Sequence, residues 1–190
     1  MIYFTSDPHL GHRFVLRNRP QFSTVDEMDE TIISNFNEIL TNRDTLYFLG
    51  DAAFRLPPEE ASKLLRQIHC KKILIRGNHD DDYEPDVFEG VFDYHEFKYN
   101  HRKFILFHYP ITAWKQMRHG SIQLHGHLHS RPEYNERNHA IGRLQYDVGV
   151  DANGFKPVSI EQILEWAASS PWETYKGLNR HATEDAGSEE

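Results

Sequence analysis

An apolar run at residues 72–76 is followed at once by Gly77-Asn78-His79-Asp80. The run has the composition of a buried β-strand. A strand that stops at a glycine and then presents an amide, an imidazole and a carboxylate delivers polar groups to one edge of a sheet. Ligands in open α/β sheets bind at that edge, outside the carboxyl ends of the strands. If this chain binds a ligand there, we expect other strands to end in polar side chains at the same edge.

Strands and helices alternate through the first half of the chain. The predicted strands span residues 1–6, 45–49 and 72–76. Between them, Thr24 and Glu27 form the sequence of a capping box before one amphipathic helix, and Pro57 opens a second helix. This order of strand, helix, strand, helix and strand predicts two βαβ units whose strands pair in parallel.

The second half of the chain is predicted to contain shorter strands and one more helix. The strands span residues 92–99, 103–107, 121–124 and 144–150, and the first two are joined by a hairpin turn. Ser159 and Gln162 have the spacing of a capping box before the last helix. The acidic segment 81–90 and the polar segment 131–143 are predicted as surface loops, and they are the loops long enough to shape specificity.

Composition and charge argue against several classes of protein. The 190 residues carry a formal net charge of −8, which disfavours tight, non-specific binding to long nucleic acid. The single cysteine, Cys70, excludes an intramolecular disulfide and a CxxC zinc site, and it fits a reducing, cytoplasmic location. No apolar run approaches the ~20 residues that a membrane span needs. We expect one domain at residues 1–172 and, because residues 173–190 are polar and acidic, a disordered tail.

Five of the predicted strands end in acidic, amide or histidine side chains. In chain order these residues are Asp7 and His9, Asp51, Asn78 and His79, His108, and His127 and His129. Aspartate and asparagine are common in turns, but histidine is not a turn former, so five such endings favour a metal site over turn chemistry. A ligand set of oxygen and nitrogen without thiolate suits Mn, Fe, Co, Ni or Zn.

These side chains are too many for one ion. A first divalent ion is assigned to Asp7, His9, Asp51 and His129. A second is assigned to Asp51, Asn78, His108 and His127, with Asp51 shared between the two. Two ions about 3.5–4 Å apart are the machinery of in-line displacement at phosphorus, with a bridging water that is deprotonated near neutral pH.

A known family shows the same motifs in the same order. They are Asp7-x-His9, Gly50-Asp51, Gly77-Asn78-His79-Asp80, His108 and Gly126-His127-x-His129. From residue 2 to about residue 163 the chain resembles the calcineurin-like metallophosphoesterases. The resemblance implies an α/β fold, an αββα sandwich of two mixed β-sheets flanked by helices, and the two-metal assignment given above, for which we favour manganese. It also makes His79 the residue that contacts phosphate and protonates the leaving group, oriented by Asp80.

Residues beside these motifs are candidates for substrate contact. They are His12, Arg13, Arg55 and Tyr109, and a solvated surface role is the alternative for the first two. We expect a phosphoesterase that hydrolyses a small phosphodiester or phosphomonoester such as a nucleotide. One rival hypothesis is a nuclease or RNA-processing phosphodiesterase, which needs a basic track leading to the site. The other is a non-catalytic metal-binding scaffold. The sequence predicts no particular oligomeric state.

Overall fold

The computed structural model describes residues 1–80 and 82–173, which form two β-sheets with helices outside them. The first sheet is built from β1 (Ile2–Thr5), β2 (Thr45–Phe48), β3 (Lys71–Ile75), β4 (Gly90–Phe92) and β9 (Val158–Ser159). Its strand order is β4-β3-β2-β1-β9. The predicted parallel pairing of the first three strands is confirmed, β4 extends it, and β9 is antiparallel to β1.

The second sheet has four strands. They are β5 (His95–Tyr99), β6 (Arg102–Leu106), β7 (Ile122–His125) and β8 (Gln145–Asp147), in that spatial order. β5 and β6 form the predicted hairpin, and their turn residues Asn100 and His101 both have positive φ, 45° and 63°, as a type I′ turn requires. β6, β7 and β8 pair in parallel, so both sheets are mixed.

A layer of aromatic rings joins the two sheets. Phe4 of β1 stacks on Phe97 of β5 and Phe104 of β6, with ring centroids 6.4 and 6.3 Å apart. Tyr47 of β2 stacks on the same Phe97 at 5.7 Å. These rings meet because alternate residues of each strand point to the inside, where the two sheets pack face to face. The predicted α/β sandwich of two mixed sheets is therefore confirmed.

Four helices flank the sheets within the described ranges. They are α1 (Val25–Ile39), α2 (Pro58–Arg66), α3 (Pro132–Ala140) and α4 (Ile160–Ser169). The apolar stripes of α1 and α2 cover the outer face of the first sheet, where Phe36 and Leu65 pack with Phe48. The capping box of α4 forms as predicted. At α1, Thr24 accepts the Glu27 N–H, but the Glu27 carboxylate bonds to the N–H of Ser23 instead of that of Thr24.

The prediction of a loop at residues 131–143 was wrong, because most of this segment is the helix α3. It lacks an apolar stripe and attaches to the second sheet through asparagine amides. Asn135 donates to the carbonyl of Asp147 (2.9 Å) and accepts its N–H (2.8 Å), and Asn138 donates to the carbonyl of Gln145 (2.8 Å). These amides satisfy the open backbone groups of the edge strand β8. A pattern of apolar residues cannot reveal such a helix.

The predicted strand at residues 92–99 was also wrong as a single element. β4 ends at Phe92 in the first sheet and β5 begins at His95 in the second, so the chain crosses between the sheets there. The expected tail falls on residues 173–190, and residues 174–190 lie outside the described part of the chain. Within residues 1–80 and 82–173 no helix has the length and apolar character needed to cross a membrane.

Candidate metal centre

The segments that follow β1, β2, β3, β6 and β7 meet at the carboxyl ends of these strands. Backbone hydrogen bonds join the first two segments, from Asp7 N to the Gly50 carbonyl (3.0 Å) and from His9 N to the Asp51 carbonyl (3.1 Å). The two sheets are joined where the Asp7 carboxylate accepts the backbone N–H of His127 at 2.8 Å. The prediction that these side chains share one edge thus agrees with the structure.

The backbone of this edge is strained. Positive φ angles of 47–70° occur at Asp7, His9, Asp51, His127 and His129. Aspartate tolerates the left-handed region moderately, whereas such angles at five neighbouring polar residues are uncommon. Strain of this kind clusters at functional sites, where the surrounding structure enforces it. All five are residues that the sequence assigned to metal ions.

The first group of ligand atoms belongs to Asp7, His9 and His129, and these atoms lie within 4.8 Å of one another. The two imidazoles face each other with their Nε2 atoms 3.1 Å apart. The Nε2 atom of His9 is also 3.5 Å from Oδ2 of Asp51. Oδ1 of Asp7 is buried and has no hydrogen-bond partner among the described residues. A buried carboxylate oxygen beside facing ring nitrogens is an arrangement that a cation would satisfy.

The second group combines Asp7 and Asp51 with His108, again with ligand atoms within 4.8 Å of one another. Nε2 of His108 lies 3.0 Å from Oδ1 of Asn78 and 3.7 Å from Oδ2 of Asp51. The ring of His127 packs edge-on against that of His108, at 5.1 Å between centroids. Asp7 therefore belongs to both groups, and Oδ2 of Asp51 lies within 3.7 Å of an imidazole nitrogen in each of them.

Hydrogen bonds on the far side of two imidazoles leave their Nε2 atoms available to a metal. Nδ1 of His108 lies 2.7 Å from the carbonyl oxygen of Leu49, and Nδ1 of His129 lies 2.9 Å from Oδ2 of Asp151. Both partners accept, so each Nδ1 carries the proton and each Nε2 presents a lone pair. This is the tautomer that metal-binding histidines adopt when their other nitrogen donates to a carboxylate or a carbonyl.

Burial disfavours charge at two of the candidate ligands, Asp7 and His9. It raises the pKa of Asp7 above its ordinary value, against the pull of His108 and His129. It lowers the pKa of His9 to about 2, with a further contribution from His129. His9 is therefore neutral at physiological pH, which is the form that coordinates metals. The residues present fit divalent ions bound by nitrogen and oxygen.

The carboxylate of Asp80 was expected to orient the ring of His79, but it accepts hydrogen bonds from other groups. Its Oδ2 accepts the N–H groups of Asp51 (2.8 Å) and Gly77 (2.7 Å), and its Oδ1 accepts the N–H of Ala52 (2.9 Å) and the hydroxyl of Tyr83 (2.7 Å). Four donors therefore occupy the carboxylate. The imidazole of His79 is not among its partners in the described chain, so Asp80 does not orient that ring here. It ties the segment after β2 to the segment after β3.

The exposed imidazole of His79 stands at the mouth of the site. Its backbone N–H donates to Oδ1 of Asp51 at 2.9 Å, and its ring meets the ring of Phe54 edge-on at 4.7 Å. Phe54 also stacks on the ring of His12 at 3.7 Å. Burial, followed by the proximity of His79, lowers the pKa of His12 to about 4. Phe54 thus fixes two candidate phosphate-contacting rings on one side of the site.

The structure divides the other candidate substrate contacts between two sides. Arg55 is exposed and extends over Phe54, 5.1 Å from the ring centre. Arg13 is exposed at the start of the short 3₁₀ helix Arg13–Arg17. Tyr109 lies on the opposite side, with its ring 4.6 Å from that of His127. Arg55 and Tyr109 are thus held by different rings of the site, those of Phe54 and His127.

Sequence reasoning missed three residues of this site, namely Arg19, Phe54 and Asp151. Arg19 and Phe54 lie in segments without a periodic pattern, so nothing in the sequence singled them out. Asp151 had a usable signal, because the predicted strand at residues 144–150 ends at this acid in the same way as the five others.

Comparison with known proteins gives consistent relatives. A family model for calcineurin-like phosphoesterases matches residues 1–175. The uncharacterized protein MJ1445 of Methanocaldococcus jannaschii is 33% identical over 172 residues, which cover 86% of this chain and 89% of that protein. The Gene 66 protein of Mycobacterium phage L5 is 28% identical over an alignment of 201 residues, gaps included, which covers 86% of this chain and 92% of that protein. The structure of AQ665 from Aquifex aeolicus, a protein of unknown function, superposes with a TM-score of 0.69 at 25% identity, covering 87% of this chain and 98% of that one.

Proposed function

Because the chain belongs to the calcineurin-like phosphoesterase family, we propose that it hydrolyses a small phosphate ester at a dinuclear metal centre. One observation carries the proposal. The buried Oδ1 of Asp7 has no hydrogen-bond donor among the described residues, and the Nε2 atoms of His9 and His129 face each other at 3.1 Å beside it. Two cations resolve that arrangement.

The residues fall into two sets around Asp51. One ion would be held by Asp7, His9, Asp51 and His129, and the other by Asp51, Asn78, His108 and His127. Divalent ions there, with manganese as our preferred ion, would lower the pKa of a bound water and neutralise the phosphate oxygens. The protein supplies imidazoles of fixed tautomer at His108 and His129 and a buried environment that strengthens these electrostatic interactions.

His79 is our candidate for the general acid. It is exposed at the mouth of the site, and its backbone N–H to Asp51 keeps it beside the shared ligand. An imidazolium in that position can contact phosphate and donate its proton to the departing alkoxide. Phe54 restricts the ring by edge-on contact, and this restriction replaces the role that Asp80 was expected to have.

The surroundings of the site support a small substrate. Arg55 provides positive charge on the side of His79, where His12 presents a neutral ring, and Tyr109 borders the other side. The nuclease hypothesis needs a basic track that leads to the site, and Arg143 is a cation with another role. Its guanidinium donates to the carbonyl of Ile111 at 3.0 Å and lies over the ring of Trp114, so it contributes to the fold.

The test is hydrolysis by metal-stripped protein of bis-p-nitrophenyl phosphate and p-nitrophenyl phosphate, with and without Mn²⁺. We expect turnover that requires the ion and falls at least 100-fold in Asp51→Asn, because that residue is shared by both ions. Asp44→Asn is the matched control, since Asp44 lies beside β2 at its amino end, away from the site. Failure of every divalent metal to restore turnover on either compound would contradict the proposal and favour the scaffold hypothesis.

A further inference from the structure

Arg19 carries a fully buried guanidinium at the base of the candidate metal centre. Its side chain is 0% exposed, and it lies in the connection between the 3₁₀ helix Arg13–Arg17 and α1. Charged side chains are almost never fully buried unless they are paired, because taking a cation out of water costs several kcal/mol. The partners of Arg19 therefore show what this burial achieves.

All five N–H groups of this guanidinium have acceptors. Nε and Nη2 donate to the two carboxylate oxygens of Asp151, each at 2.8 Å. Nη2 also donates to the carbonyl of Asp7 at 2.7 Å, and Nη1 donates to the carbonyl of Pro8 at 2.9 Å. The remaining contact is with the sulfur of Met28, at 3.4 Å. The planar fork of arginine matches this set of acceptors, and the ammonium of a lysine does not.

These contacts join parts of the centre that come from different sheets. The carbonyls of Asp7 and Pro8 belong to the segment after β1, which carries Asp7 and His9. Asp151 follows β8 of the second sheet, and its Oδ2 also accepts the Nδ1 proton of His129 at 2.9 Å. One guanidinium therefore holds the backbone of two candidate ligands and, through a carboxylate, the ring of a third.

The carboxylate of Asp151 links Arg19 to the ring of His129. Its Oδ1 accepts from Nε of Arg19, and its Oδ2 accepts from Nη2 of Arg19 and from Nδ1 of His129. A charged carboxylate fixes the tautomer of His129 and increases the basicity of its Nε2 atom.

We infer that Arg19 is a positioning residue that sets the affinity of one of the two ion positions, the one formed by Asp7, His9, Asp51 and His129. The inference rests on the proposed metal centre, and it adds a residue outside the family motifs. The assignment gives the other position, formed by Asp51, Asn78, His108 and His127, only Asp51 in common with it, although the Asp7 carboxylate also lies beside His108. Because Arg19 and Asp151 hold the main chain of Asp7 and the ring of His129, changing either should weaken the first position more than the second. A purely structural role would lower the stability of the fold without this selectivity.

The test is calorimetric titration of Mn²⁺ into metal-stripped protein for Arg19→Lys and Asp151→Asn. Arg19→Lys keeps the charge and loses the fork, and Asp151→Asn keeps the shape and loses the charge. Asp44→Asn is the control, because it also neutralises a carboxylate that is buried and hydrogen-bonded, here by the amino terminus and Thr41. Wild type and the control should bind two ions. Each test variant should bind one ion with about 10–100-fold lower affinity and the other within twofold of wild type.

The double variant provides a second readout. Because part of the effect of Arg19 acts through Asp151, the two losses in binding free energy should not add. The inference is overturned if both folded single variants bind two ions as the control does, or if both positions weaken equally. A wild type that binds fewer than two ions overturns it together with the centre on which it rests. If the selective loss is found and no variant or wild type hydrolyses phosphate esters, the inference stands and the proposed function fails.

Discussion

Asp80→Asn separates two roles for the carboxylate of the Gly77-Asn78-His79-Asp80 motif. In the structure this group accepts two N–H groups at Oδ2 and one N–H plus a hydroxyl at Oδ1. An amide must place its NH₂ at one of these positions. At Oδ2 it would face two backbone donors. At Oδ1 it would face the N–H of Ala52 and the hydroxyl of Tyr83, which can rotate to accept.

The second placement is the less costly, and its cost can be worked out. One backbone donor is left unsatisfied, which costs about 1–3 kcal/mol, and the remaining hydrogen bonds lose the contribution of an ionised acceptor. We expect Asp80→Asn to lower the free energy of unfolding of the metal-free protein by about 2–4 kcal/mol. Tyr83→Phe is the comparison, because it removes one hydroxyl from the same carboxylate. That hydroxyl also accepts the N–H of Ala53 at 3.3 Å, so its loss should cost about 1–2 kcal/mol. Urea unfolding measures both values.

Kinetics distinguish displacement of the metal loops from loss of an oriented acid. If Asp80 holds the segments after β2 and β3, its replacement should lower kcat by the same factor for aryl phosphate esters with acidic and with weakly acidic phenols. If Asp80 orients His79, the loss should grow as the leaving group becomes more basic. A variant of unchanged stability whose rate loss follows the basicity of the leaving group would refute the structural reasoning.

Three other changes test the site and its surroundings. His79→Ala should reduce the hydrolysis of esters with poor leaving groups by about 100-fold or more and affect p-nitrophenyl esters less, as a comparison of kcat over a series of aryl esters would show. Phe54→Ala frees the rings of His12 and His79, so kcat/KM should fall by about tenfold while Mn²⁺ affinity by calorimetry stays unchanged. Burial raises the pKa of Asp29 to about 6. Ionisation of Asp29 therefore destabilises the folded state, and the free energy of unfolding falls as pH rises from about 4 through 6. Asp29→Asn should therefore raise the melting temperature at pH 8 relative to wild type and leave it nearly unchanged at pH 4.

The parts of the site that could be predicted are those that the chain order determines. Parallel strands deliver the residues after them to one edge, so Asp7, Asp51 and Asn78 were expected together once two βαβ units were recognised. Histidine at such positions indicated a metal site, because histidine is not a turn former. The assignment of each ligand to one ion was an extension of the same argument and stays a prediction, since the carboxylate of Asp7 lies within reach of both groups.

The parts that could not be predicted depend on tertiary contacts of single polar groups. Helix α3 attaches to β8 by the amides of Asn135 and Asn138, and amides have no periodic signature. The role of Arg19 depends on the fold, which places two backbone carbonyls and the carboxylate of Asp151 around its guanidinium. Asp80 was assigned to its neighbour in sequence, whereas its partners lie up to 29 residues away.

Asp80 and Arg19 together explain how the strained segments around the centre persist. Each residue in the left-handed region costs on the order of 1 kcal/mol or more, and five of the candidate ligands have such angles. Asp80 fixes the segments after β2 and β3 by their backbone N–H groups, and Arg19 fixes the segment after β1 by its carbonyls. Asp80 bonds chiefly to backbone N–H groups, and Arg19 bonds to two backbone carbonyls besides Asp151, so both hold the main chain and leave the ligand side chains directed at the ions. A centre built in this way is organised by the protein before metal binds, so the loss expected of Arg19→Lys should be found at the same ion position whether that position is filled first or second.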